Sequence, residues 1–271
     1  INMAISTFKQ EIWESALIES FKGITIADLI TKKPTRIEGT KAIFNTASLA
    51  TGLQNYTGTV NYEEVITNAI ELVYDKTKYF AFAVDDVDKA QAVADVMLPI
   101  TNEQAYKIKE EIDSAVFAEA VRGAKSSNVI GSSSSKKAIT TSDEAYDYIV
   151  DLGTKLDNNN VPTTGRYVIA KPEFINLLSK DKRVIDNAVV LANGIVQGMN
   201  VNGIQVVKTN LCPANQVIAL SNIAVGYGKQ IDKVEALRLQ TSFSDAVRGL
   251  VSYGVKTLQG EGISVLNYEI Q

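Results

Sequence analysis

The sequence predicts an α+β fold, and three observations carry that prediction. After Thr141, helix and strand signals are mixed over roughly a hundred residues, the pattern of helices layered on a sheet. From Pro34 to about Asp85 the texture is β: Ile37, Ile43, Phe44, Val60, Tyr62, Val65 and Val73 stand among Thr, Asn and Gly, punctuated by Gly39, Gly52 and Gly58. Between these regions lies one long helix pattern, from after Thr101 to Arg122-Gly123. At about 1.5 Å per residue it spans roughly 30 Å. With 271 residues the chain amounts to one large domain or two small ones and can bury a full core without staples.

The N-terminal segment opens with a capping box, Thr7 with Gln10. Phe8, Ile12, Ala16, Leu17 and Phe21 follow on one helical face, Trp13 lies at its edge, and Gly23 ends it. Two readings stay open: a helix folded on its own core, or an arm that packs on a neighbour. Met3-Ala4-Ile5-Ser6 reads like a translation start.

Residues 45–62 contain no charge and few large apolar groups, so this stretch builds no core of its own. It is either an ordinary meander or a long projecting hairpin. An isolated hairpin is marginal in water, so the second reading requires a partner surface. Residues 78–88 then form an aromatic strand followed by Asp85, Asp86 and Asp88. Carboxylates suit Mg²⁺ or Ca²⁺, but the EF-hand spacing is missing. Capping the N–H groups of a helix over 87–95 explains them better.

Pro99 is expected to break the chain before the long helix. Ala105, Ile108, Ile112 and Val116 form the apolar stripe of that helix. Glu103 with Lys107, Lys107 with Glu111 and Lys109 with Asp113 have ion-pair spacing on its solvent face. Residues 126–137 are a serine-rich loop and a domain boundary; their Ser-x-x-Lys matches follow from composition.

Thr141 with Glu144 is another capping box, opening a helix with Ala145, Tyr148, Ile149, Leu152 and Leu156 on one face. Residues 167–170 read as a buried strand, and Pro172 suits the first position of a helix carrying Phe174, Ile175, Leu177 and Leu178. Asn202-Gly203 is a hairpin turn between 199–201 and 204–207. Further strands are expected at 217–220, 234–239 and 263–266.

Composition narrows the chemistry. The chain has no histidine, which removes Ser-His-Asp and Cys-His catalysis and His-ligated zinc. A lone cysteine, Cys212, allows no internal disulfide framework. A net charge of −4 does not suit a chain that coats nucleic acid. No apolar run is long enough to span a bilayer and no signal peptide opens the chain, which reads as soluble and intracellularly made. Phosphate motifs fail as well: Gly226-Tyr-Gly228 lacks a third glycine, and Gly228-Lys229 is followed by Gln230. Gly194 and Gly198 read as turn residues. No catalytic residues, cofactor or metal are expected.

Several stretches, in order along nearly the whole chain, resemble the major capsid proteins of tailed bacteriophages with the Hong Kong 97-type fold. They are Ala-Ile-Ser-Thr-Phe-Lys-Gln-Glu-Ile-Trp at 4–13 and Lys-Tyr-Phe-Ala-Phe-Ala-Val-Asp-Asp-Val-Asp-Lys-Ala-Gln at 78–91, the most specific. Residues 165–170 with Pro172-Glu173, then 230–235, Leu237-Arg238, 243–249 and 253–256, complete the likeness.

The resemblance implies an N-terminal arm at 1–33, an extended β-hairpin loop at 34–76, a peripheral domain with a long spine helix at 77–137 and 249–271, and an axial domain at 138–248. It implies a structural coat protein that self-assembles, as hexamers and pentamers, into the icosahedral virion shell around double-stranded DNA, without sequence-specific DNA binding or a membrane. Assembly in the host cytoplasm, a portal and a separate scaffolding protein belong to the same expectation; the start-like Met3-Ala4 favours a separate scaffold over a cleaved leader. Contacts between subunits are expected at Lys41, Leu49, Leu53, Tyr56, Val60, Glu103 and Lys107. No isopeptide cross-link is expected at Lys41 or Lys76. Two rivals stand: an encapsulin-like nanocompartment shell, and a metal-dependent enzyme built on Asp85, Asp86 and Asp88.

Overall fold

A computed structural model of the chain describes residues 25–39, 41–48, 66–85, 97–184, 189–190, 195–238 and 244–271. The helix expected over 8–21, its Thr7 capping box, most of the uncharged stretch and the helix expected over 87–95 lie outside those residues.

A short helix, α1 (Ile26–Ile30), comes first. Thr25 caps it reciprocally with Asp28: the Asp28 N–H donates to Thr25 Oγ1 at 3.0 Å and the Thr25 N–H to Asp28 Oδ2 at 3.4 Å. Strands β1 (Arg36–Glu38), β2 (Lys41–Ser48) and β3 (Ile66–Val73) form an antiparallel sheet with β2 central. Next come β4 (Lys76–Asp85) and the long helix α2 (Met97–Gly123). The expected break at Pro99 does not occur. Pro99 is the third residue of the 27-residue α2, where backbone N–H groups have no intrahelical acceptor and the missing donor costs little.

Beyond α2 the chain makes β5 (Val129–Ile130), β6 (Lys137–Ile139) and α3 (Ser142–Asn158). The Thr141–Glu144 box forms as expected, with the Thr141 N–H donating to Glu144 Oε2 at 3.1 Å. Strand β7 (Arg166–Ala170) leads into α4 (Pro172–Leu178), which carries Pro172 in its first turn. Then follow β8 (Val189–Val190), β9 (Ile195–Val201), β10 (Ile204–Lys208), β11 (Gln216–Ser221), β12 (Val225–Arg238), β13 (Ser244–Thr257) and β14 (Ile263–Ile270). Asn202 and Gly203 turn β9 into β10 with φ of 49° and 78°, the positive values a tight hairpin turn demands.

The largest sheet runs β5-β14-β11-β7-β10-β9-β8, with β6 also paired to β14. It is buried on both faces because its strands are near-continuous apolar runs. In β11, Val217 and Ala219 turn to the α3 and α4 side, where Ala145, Ile149, Leu152, Leu156, Phe174 and Leu178 pack. Ile218 and Leu220 turn to the opposite side, against Ile112, Val116, Phe117 and Ala120 of α2. The result is three layers, with α3 and α4 above the sheet and α2 with α1 below. The sheet draws on 129–221 and on the C-terminal strand alike.

A second sheet, β12-β13-β4, joins the two longest strands to the aromatic strand. It extends beyond the short strand expected at 234–239, and β13 matches no expected strand. Gly249 and Gly254 interrupt its β signal. Both are glycine for close approach: a Cβ at 249 would enter the Phe80 ring, and one at 254 the Val73 carbonyl.

Candidate intersubunit site

The β2–β3 hairpin is rooted in the body by one side chain above all. Phe44 is buried with Ala42, Leu72 and Tyr74, and Ile70 and Leu258 pack against that cluster. Gly226 admits the ring: a Cβ there would lie 2.8 Å from Phe44 Cζ. From this root the strands pair from Lys41 with Val73 to Ser48 with Ile66, which at ~3.4 Å per residue is roughly 25 Å of ladder. Lys41 sits at the rooted end, exposed, with Nζ 2.8 Å from Glu71 Oε2. The Lys256 ammonium donates to the Glu71 carbonyl at 2.9 Å and ties the hairpin to β13. Leu49, Leu53, Tyr56 and Val60 lie outside the described residues.

On α2, Ala105, Ile112 and Val116 are buried and Ile108 is partly so, as the stripe requires. Glu103 and Lys107 pair on the outward face at 2.8 Å. The two other expected helix-face pairs are not what Glu111 and Asp113 make. Glu111 Oε1 meets Lys78 Nζ at 2.9 Å and accepts from the Tyr253 hydroxyl at 3.3 Å, joining α2 to β4 and β13. Asp113 is 5% exposed and accepts from the backbone N–H of Ala27 at 2.8 Å and of Ile26 at 3.4 Å. A signal for this was present: Asp113 shares a helical stripe with Val116, Phe117 and Ala120 at spacings of three, four and seven. A carboxylate inside an apolar stripe needs a donor, here the first turn of α1.

The second sheet shows one solvent-facing side. Tyr79 of β4, 79% exposed, is opposite Leu250 of β13. Beside them, Arg248 Nε donates to Glu235 Oε2 at 2.8 Å. Tyr79, Ala81, Glu235, Arg248 and Leu250 border a groove of about 480 Å³. The deeper side of the sheet carries Phe80, Val247 and Val251, all buried.

Chemically reactive groups are quiet. Burial pushes the Cys212 thiol up to about 12, and the sulfur lies 3.3 Å from the Gln216 carbonyl oxygen. Asp85 ends β4 opposite Ser244, whereas Asp86 and Asp88 lie outside the described residues. Among the described residues no group of three possible ligands could hold a metal ion. The serine run is a turn closed on itself, with the Ser135 N–H donating to Ser132 Oγ at 2.9 Å. No helix among the described residues is long and apolar enough to cross a membrane.

A long helix and a short helix under one sheet, two helices above it, a second sheet and a rooted hairpin together define a shell-subunit architecture, the Hong Kong 97-type capsid fold. A family model described as phage capsid protein matches residues 69–263, and the chain belongs to that family. Among solved structures, one from Mycobacterium phage Che8 is 26% identical, with a TM-score of 0.66 over 85% of each chain. The capsid of cyanophage P-SCSP1u is 18% identical, with a TM-score of 0.70 over 92% of this chain and 89% of that one. The virus-like particle from Pyrococcus furiosus shares the fold at 16% identity, with a TM-score of 0.58 over 95% of this chain and 99% of that one. No curated protein matches the chain. Its role is that of a phage capsid structural protein.

Proposed function

We propose that the chain is the major coat subunit of a closed icosahedral shell, built as hexamers and pentamers and enclosing double-stranded DNA without reading it. The match of the phage capsid family across 69–263 carries this reading. The fold likeness extends to a virus-like particle and so does not separate a phage shell from a nanocompartment; the family match favours the phage. A net charge of −4 fits a wall better than a polymer-binding surface. In this reading the protein is non-enzymatic, assembles in the host cytoplasm on a separate scaffold, and joins a portal.

The division into arm (1–33), extended loop (34–76), peripheral domain (77–137 and 249–271) and axial domain (138–248) belongs to the same proposal, as do contacts through Lys41, Leu49, Leu53, Tyr56, Val60, Glu103 and Lys107. The hairpin root supports it. Phe44 and Leu72 give the β2–β3 ladder its own seat in the body, which supports reading the uncharged stretch between the strands as a surface for a neighbour and not as part of the subunit core. Deleting 47–58 tests this. A folded, soluble subunit that makes no shells is expected, whereas cooperative unfolding of the subunit would contradict it.

A further inference from the structure

Residues 25–32 are held to the body by a buried carboxylate. Segment 25–32 crosses α2 and then lies along β12. At its start Asp113 Oδ1 takes the Ala27 N–H at 2.8 Å and Oδ2 the Ile26 N–H at 3.4 Å. At its end the Lys32 N–H donates to the Val225 carbonyl at 2.8 Å, and the Tyr227 N–H to the Lys32 carbonyl at 3.4 Å. Ala27 and Ile30 fill the space between, fully buried against the α2 core. Undocking this segment would return Asp113 to water.

We infer that Asp113 is a proton-sensitive anchor for the N-terminal segment: docking of 25–32 onto α2 takes up a proton there and strengthens in mild acid. This goes beyond the coat-protein reading and does not depend on it. The two oxygens are held unequally. Oδ2 makes the long contact, so protonating it sacrifices little, and Oδ1 keeps its short bond to Ala27. Burial, acting against the two backbone N–H groups, pushes the carboxyl up to about 6.

Five other titratable groups act on this site. Asp28 comes from α1, Lys229 and Tyr227 from β12, and Lys109 and Tyr106 from α2 itself. Asp28 opposes the charge on Asp113, and Lys229 favours it. Burial raises the Tyr227 phenol and the Glu110 charge raises that of Tyr106, so both stay neutral. Burial also pulls Asp28 upward, but Lys229 at 3.2 Å and the Thr25 groups outweigh it and hold it below the usual range.

The signs follow. Asp113 titrates higher when docked than when released, so docking weakens as pH rises through about 6 and is strongest below it. Asp28 titrates lower when docked, so its contribution fails only under stronger acid, below the ordinary carboxylate range.

Hydrogen exchange of the full chain, corrected for intrinsic rates, reads this out at the amides of 25–32. Protection is expected to rise on the order of tenfold or more from pH 7.5 to pH 5, flatten in Asp113→Asn, and keep its slope in Asp28→Asn. A flat wild-type profile, an unchanged slope in Asp113→Asn, or loss of the slope in Asp28→Asn would each overturn the inference. The wild-type profile stands by itself if a variant folds poorly.

Discussion

Gly249 lies against the ring of Phe80: a Cβ at that position would clash with the ring's Cζ and Cε1 atoms. The two residues face each other across the β13–β4 ladder, and Phe80 is 6% exposed. The aromatic strand therefore closes the deep side of the second sheet because its partner strand offers no side chain there. Gly249→Ala is expected to evict the ring and destabilise the subunit by about 1–3 kcal/mol. Adding Phe80→Ala should cost much less in that background than alone, which a double-mutant cycle of thermal unfolding measures.

Ile112 is 1% exposed among Val116, Phe117 and Ile218. Ile112→Asp buries an unpaired charge there, at a cost of several kcal/mol against a domain stability of about 5–15 kcal/mol. We expect no folded subunit and hence no assembly, read from soluble yield and circular dichroism. A soluble, folded Ile112→Asp protein would place the helix phase in error.

Lys107→Glu works at the opposite level. Its pair with Glu103 is exposed on both sides and screened by water, and Glu111 keeps its own partner in Lys78. Melting of the isolated subunit should move by no more than a few degrees. If the outward face of α2 meets a neighbour, the small like-charge penalty recurs at every contact and assembly yield falls sharply. Unchanged assembly would mean that this face is free in the shell.

Cys212 should resist a thiol reagent at pH 8 while the protein is folded. Burial holds its thiol near 12 and the side chain is 2% exposed, so thiolate is scarce and access closed. Labelling should become rapid in denaturant; rapid labelling of native protein would show that the β7–β11 side of the sheet opens.

Mature particles are expected to dissolve into single chains on denaturing electrophoresis. Lys41 is occupied by Glu71 at 2.8 Å. A ladder of covalent multimers would contradict this expectation.

Local chemistry made much of the fold legible. The Thr141–Glu144 box, Pro172 and Asn202-Gly203 decide backbone conformation within a few residues, and each structure formed where it was read. The apolar runs at 167–170 and 217–220 mark strands, and both lie in the largest sheet. What escaped reading depends on distant partners. Gly249 and Gly254 look like breaks until Phe80 and Val73 fill the space. Glu111 and Asp113 look like helix-face ions until β4 and α1 arrive beside them. Pro99 looks like a stop unless the helix begins just before it.

Copies of this chain, brought together on a scaffold, are expected to form the wall of a closed shell. Electron microscopy of the protein co-expressed with its scaffolding protein checks this. Icosahedral particles are expected, with residues 47–58 of each subunit against an adjacent copy in the reconstructed wall. Monodisperse single subunits with no closed particles, or shells in which that segment touches no neighbour, would contradict it.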